Sequence, residues 1–415
     1  MTRKMNPPSG PLLLKFFAPA FIAAAMIAIS LSAFSAASVD TEKPKYVIDE
    51  DCATFAFSPD NHVAYAVRRI YNWKKFTVEG DDLWISNESG KTKRIIDGEK
   101  LVKTTTFHSY SIHDIAWSPD SKRLIIEKTT EQINSAKKGD ISSGETIELL
   151  DSDGHEIPIK GQEPSPSPAA QAKNQDKSKD QDEDEDETQK IKFSPFIGAS
   201  QGTWLADGAT VAFLYEAVKP KLLFEIHTIQ PATGKVKTLF AGHLFAGVAW
   251  DAAHGTAFAI QRDKGTDGPA DLLWLDLVHE IGNKIAPIEG FQGQLTISPS
   301  GRRVGYFRDG DYLEIRDITP NSKPLSLRIG YGKFEWSPDE RYILLKRGPE
   351  TRSDNLVWIS IPGGDFTAAM HDLVYRDFHI SPDGHWIGLM EVGKRIVKIY
   401  PASTFAPQSF HSADR

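Results

Sequence analysis

Short apolar runs set off by turn residues recur along most of the chain. Val63-Ala64-Tyr65-Ala66-Val67, Leu124-Ile125-Ile126, Val211-Ala212-Phe213, Val304-Gly305-Tyr306, Ile343-Leu344-Leu345 and Ile387-Gly388-Leu389 are too short for helices and rich in branched and aromatic residues. Just ahead of them stands the triplet Ser-Pro-Asp, at Ser58, Ser118, Ser337 and Ser381, with a variant at Ser298-Pro299-Ser300. Degenerate copies keep the frame at Trp204-Leu205-Ala206-Asp207-Gly208 and Trp250-Asp251-Ala252-Ala253-His254. The preceding residue is always apolar: Phe57, Trp117, Trp204, Trp250, Ile297, Trp336 and Ile380. Proline presets the backbone for a turn, and the aspartate that follows can bond the turn's own amides. Each triplet therefore reads as a hairpin turn between two short strands.

A third strand follows each time, as in Leu83-Trp84-Ile85, Leu272-Leu273-Trp274-Leu275 and Leu356-Val357-Trp358-Ile359. A turn and a short fourth strand come next, for example Thr233-Gly234-Lys235 and then Lys237-Thr238-Leu239-Phe240. Four antiparallel strands per repeat at about 50 residues is the signature of a propeller blade. The expectation is an all-β, seven-bladed β-propeller of four-stranded antiparallel blades over residues 38–415, with six or eight blades as alternatives. Whether Tyr46-Val47-Ile48 closes the ring by joining the last blade is left open.

The Trp-Ser-Pro-Asp unit resembles the repeat of TolB-like propellers and of the propeller half of the prolyl oligopeptidase family. Phe57-Ser58-Pro59-Asp60 through Asp82-Leu83-Trp84-Ile85 carries the resemblance best, and it extends over about residues 44–411. It implies the fold and leaves function almost unspecified. TolB itself adds an N-terminal α/β domain to a six-bladed propeller, whereas here the repeats begin soon after the leader. The peptidases carry an α/β-hydrolase domain, for which these repeats leave no room.

Composition alters this picture at the ends and in one insertion. Arg3, Lys4 and Lys15 precede a charge-free apolar stretch from Phe16 to Ser38 that ends in small residues, so residues 1–37 read as a signal peptide. The competing reading is a membrane anchor through residues 16–37. Either places the body in the periplasm or outside the cell. Residues 163–192 form a Pro-rich and then acidic insertion, from Glu163-Pro164-Ser165-Pro166 to Asp184-Glu185-Asp186-Glu187, which reads as a disordered loop. The net charge of −8 argues against nucleic-acid binding. The single cysteine, Cys52, excludes an intrachain disulfide.

Catalytic signatures are sparse. Gly198-Ala199-Ser200-Gln201-Gly202 matches G-x-S-x-G, but it runs into strand and turn residues, where a nucleophile elbow needs a helix. No metal motif and no phosphate loop occurs, so neither metal nor cofactor is expected. The richest chemistry lies before the triplets, where the chain passes between repeats. Phe107, His108, Tyr110 and His113 precede the second triplet, and Phe196 the third turn. His243 and Phe245 precede the fourth, Phe291 and Gln292 the fifth, Tyr331 the sixth, and Tyr375 and Arg376 the last. Such side chains around a propeller mouth would suit a protein or peptide. The sequence thus predicts an exported, monomeric, non-enzymatic binding module of the cell envelope. Its alternatives are a propeller subunit of a peptidase and a hydrolase with its site in the central channel.

Overall fold

The turns show why the triplet recurs. Ser58, Ser118, Ser337 and Ser381 are buried, and each hydroxyl donates to the carboxylate of Asp60, Asp120, Asp339 or Asp383 at 2.5–2.6 Å. Each hydroxyl also accepts a backbone N–H from the strand that follows, from His62, Arg123, Tyr342 or Trp386, at 2.8–3.0 Å. The residue after the aspartate is left-handed: Asn61, Ser121, Glu340 and Gly384 have φ of 64°, 55°, 58° and 75°. Serine ties both ends of the turn together, proline presets it, and the left-handed residue sends the chain back antiparallel.

The computed structural model describes residues 43–405 except 74–75, 105–106, 134–140, 162–198, 218–222, 241–244, 263–269, 331, 348–355, 362 and 371–374. The expected leader at 1–37 and insertion at 163–192 lie outside the described residues. Among the described residues no helix is long and apolar enough to cross a membrane.

The fold is all-β and a propeller, but not the ring of seven separate four-stranded blades that the repeat predicts. Five sheets are four-stranded blades, and the first two repeats merge into one seven-stranded sheet. Two observations account for the difference. Strands Val63–Trp73, Phe76–Ser86, Phe107–Trp117, Arg123–Ile133 and Ile141–Asp151 each run eleven residues. Their overlong ends let Glu79 and Gly80 pair in parallel with Ser109 and Tyr110. The second repeat, for its part, shows no fourth strand among the described residues, only the bridge Leu150–Glu156. Two buried carboxylates lock the junction. Asp81 accepts the N–H of Ile112 at 2.8 Å, and Asp82 accepts that of Gly98 at 2.9 Å, where the short helix Gly98–Thr104 starts.

The first strand of each repeat is innermost: Cys52–Phe57, Phe107–Trp117, Ala199–Trp204, Phe245–Asp251, Phe291–Ile297, Gly332–Trp336 and Tyr375–Ile380. Apolar clusters fill the spaces between neighbouring sheets; Phe258, Phe291, Leu295 and Tyr306, for example, belong to one of them. The turns meet one another around the ring. Asn61 Nδ2 donates to Asp383 at 2.6 Å, the Asp60 N–H to Ser121 at 3.2 Å, and the Ala206 N–H to the Ala252 carbonyl at 2.9 Å. Closure, left open by the sequence, comes from Tyr46–Ile48, which pairs antiparallel with Val397–Ile399 of the last sheet.

Candidate functional site: the charged wall of the channel

Counting back from the serine position of the turn, the side chains two and four residues earlier face the channel in the second, third, fifth, sixth and last repeats, whereas Thr54 of the first and Ala249 of the fourth are buried. Asp114, Gln201, Gln294, Lys333, Glu335, Asp377 and His379 keep surface open to solvent. The intervening Phe55, Ile115, Val248, Leu295, Phe334 and Phe378 are buried between sheets. This is the period-two alternation of a strand with one dry and one wet face.

The charges cluster on adjoining strands. Lys333 Nζ lies 2.5 Å from Asp377 Oδ1, 3.3 Å from Glu335 Oε1 and 2.8 Å from the Phe378 carbonyl. His379 Nδ1 donates to Glu335 Oε1 at 2.8 Å, and the ring meets Phe55 edge-on at 4.8 Å between centroids. The Ile380 N–H donates to Glu335 Oε2 at 2.8 Å. Phe334 and Gln294 exchange two hydrogen bonds of 3.1 Å, which fixes the neighbouring strand.

These groups are wet yet walled in by protein, so their ionisation follows their partners. Burial and the Lys333 ammonium oppose the His379 imidazolium, but Glu335 and Asp377 outweigh them and raise its pKa to about 9. The 3.4 Å contact from Lys333 Nζ to His379 Nε2 would suit a neutral ring, but the two carboxylates prevail. Burial likewise opposes the charge on Glu335 and Asp377, and His379 and Lys333 hold both below the usual carboxylate range. Asp114, on the second repeat, is raised by burial, and the charges of His379, Lys333 and Asp377 reach it from the other wall. Burial also raises Glu127, which accepts the Gln201 N–H at 2.8 Å.

The residues singled out by sequence divide by register. Tyr110, Phe245, Phe291 and Tyr375 are buried in the core clusters, at 5% exposure or less. His113 and Arg376 are exposed; His113 Nε2 lies 2.7 Å from Thr129 Oγ1. Gln292 is exposed as well. The cause is a recurring β-bulge. Register shifts fall between Cys52 and Thr54, Ile112 and Asp114, Phe245 and Gly247, and Tyr375 and Asp377. Each inserts one residue, which reverses the parity of everything before it and turns Cys52, Ile112, Phe245 and Tyr375 inward. Between Gln292 and Leu295 two residues are inserted, parity is kept, and Gln292 stays outside. His113 and Arg376 are themselves inserted residues. Phe196, His243, Tyr331 and the side chains of Phe107 and His108 lie outside the described residues.

Asp114, Lys333, Glu335, Asp377 and His379 are not among the residues that the sequence singles out. The signal was present in Lys333-Phe334-Glu335-Trp336 and Asp377-Phe378-His379-Ile380, charged residues alternating with apolar ones just before a triplet. Ser200 sits inside a strand, paired with Leu214, and not at a strand-to-helix turn. Among the described residues, one trio could hold a cation, Asp151, Asp153 and His155, with ligand atoms within 4.8 Å of one another on a surface turn. Asp151 already accepts the turn's N–H groups, and Asp153 pairs with Lys93.

These features define the class, an all-β propeller with a charged channel wall. Comparison with solved structures agrees on the class. A chain of the structure titled "Crystal Structure of Mitotic Checkpoint Complex" is similar, with a TM-score of 0.53 and 12% identity over 95% of this chain and 99% of that one. At that identity the likeness is one of fold. No family model matches the sequence. No curated protein matches it either.

Proposed function

We propose that this chain is an exported, monomeric propeller, related to the TolB-like group, that binds a protein or peptide of the cell envelope at its channel. The observation that carries the reading is the wet, charged wall of Lys333, Glu335, Asp377 and His379 facing Asp114. Preorganised charges beside solvent give specificity to a polar partner. The fold suits a binding module, and the apolar stretch within residues 1–37 supports export.

Affinity capture from envelope extract with residues 38–415 as bait tests it. His113→Ala with Arg376→Ala probes the exposed bulges of the innermost strands with little risk to folding, since both side chains are exposed. Lys333→Ala with Asp377→Ala probes the ion cluster, with a melting curve as the folding control. A partner kept by the wild type and lost by both pairs supports the reading; capture that ignores both pairs, or no partner, overturns it.

The alternative, a hydrolase with a channel site, draws on His379 lying against Glu335. An imidazolium that persists to about pH 9 is a poor general base at neutral pH. Peptide or ester hydrolysis abolished by His379→Gln would favour it.

A further inference from the structure

At the turn-side end of the channel the repeat breaks its own rule. Where the four full triplets place Pro-Asp, the fourth copy has Ala252-Ala253. Beside these small side chains lies a cavity of about 330 Å³, walled by Trp250, Ile297 and Trp336, with Glu335 also among its lining residues. Its size is at the low end for ligand sites and suits one side chain or a small amine.

Both indoles are anchored by their N–H edges. Trp250 Nε1 donates to the Gln201 carbonyl at 2.7 Å, and Trp336 Nε1 to Thr296 Oγ1 at 3.0 Å. The walls are therefore set before anything binds, which spares the cost of ordering them. The charged groups lining the cavity are Asp251 and Glu335, both acidic; among the described residues no lysine, arginine or histidine lines it. Asp251 holds His254 Nδ1 at 2.8 Å and Thr256 Oγ1 at 3.2 Å, and Glu335 is held by His379, Lys333 and the Ile380 N–H. The carboxylates are thus fixed in place.

We propose that this cavity takes a monovalent organic cation on an apolar stem, supplied by a lysine or arginine side chain of a polypeptide partner. Tryptophan walls favour the stem and the cation, and Asp251 supplies the counter-charge, Glu335 being matched already by Lys333 and His379. The site lies at the end of the channel marked by the triplet turns and shares Glu335 with the charged wall, while Trp250, Asp251, Ile297 and Trp336 lie outside that cluster.

The test follows the indole N–H resonances of Trp250 and Trp336 in residues 38–415. The probes are N-acetyl-lysine methylamide, its neutral counterpart N-acetyl-norleucine methylamide, and n-butylammonium. The expected result is a saturable shift with the lysine amide, and binding of the norleucine amide weaker by about tenfold or more. Ala253→Leu, a change at an exposed turn, fills the cavity and abolishes the response. Asp251→Asn weakens the lysine amide and not the norleucine amide, with a melting curve as the folding control. The His113→Ala, Arg376→Ala pair, outside the cavity lining, leaves the response intact. An equal response to both amides, none in the wild type, or a full response in Ala253→Leu overturns the proposal. Tighter binding of n-butylammonium than of the lysine amide overturns the assignment to a polypeptide.

Discussion

A single hydroxyl carries much of each turn. Proline and aspartate announce the triplet in the sequence, yet the serine is the buried member, with an acceptor on one side and a donor on the other. In the fifth copy Ser300 replaces the aspartate, and Ser298 still accepts the Arg303 N–H at 3.1 Å. The part that survives substitution is the bond from serine to the returning strand. At the same scale His379 has a defined acid–base behaviour. Its raised pKa means that its contribution to stability is complete below about pH 6.5 and is lost as pH rises through about 9. Glu335 and Asp377, held low, contribute above their ordinary 4.5 and 3.8 and lose that contribution in acid. Imidazole NMR should therefore find His379 protonated at pH 7.5, with Asp377→Asn lowering its midpoint. A midpoint near 6.5 in the wild type would contradict the charge balance described for the cluster.

At the scale of elements, the strands and their order were legible because period-two patterning and turn chemistry agree. The merger of the first two repeats was not, because it depends on where strands stop. Nothing in Phe76–Ser86 or Phe107–Trp117 marks the point at which one sheet should release the chain. The bulges were equally hidden. Ala53, His113, Ala246 and Arg376 share a position but no chemistry, so an aromatic residue just upstream looks surface-facing and is core. The charged wall, by contrast, could have been read from alternation alone. The merged sheet makes its own prediction. A Cβ on Gly98 would stand 2.6 Å from the Asp81 carbonyl. Gly98→Ala should cost about 1–3 kcal/mol in denaturant unfolding, as overpacking does. A change within error would show that the junction is loose.

At the scale of the whole molecule, the ring is held at two places that the repeat pattern does not require. Tyr46–Ile48 completes the last sheet, and Trp358 Nε1 donates to the Phe405 carbonyl at 2.6 Å, fastening the chain beyond the final strand. Removing residues 1–49 should lower the melting temperature and expose Val397–Pro401 to limited proteolysis, while Trp emission from the central sheets stays native-like. An unchanged melt would mean that the sheets hold together without the closing strand.

That closing strand also sets an order of events. Tyr46–Ile48 is made before the repeats, and its partner Val397–Ile399 belongs to the last of them, so the segment must wait with its edge unsatisfied while nearly all the repeats form. Among strand pairings its loop-closure entropy is the largest, and it is favourable only once the sheets between are in place. Until then two unsatisfied edges, one at each end of the array, are open to pairing with other chains. A growing or threading chain is in this sense adhesive at both ends, and the ring becomes inert when its oldest strand meets its youngest.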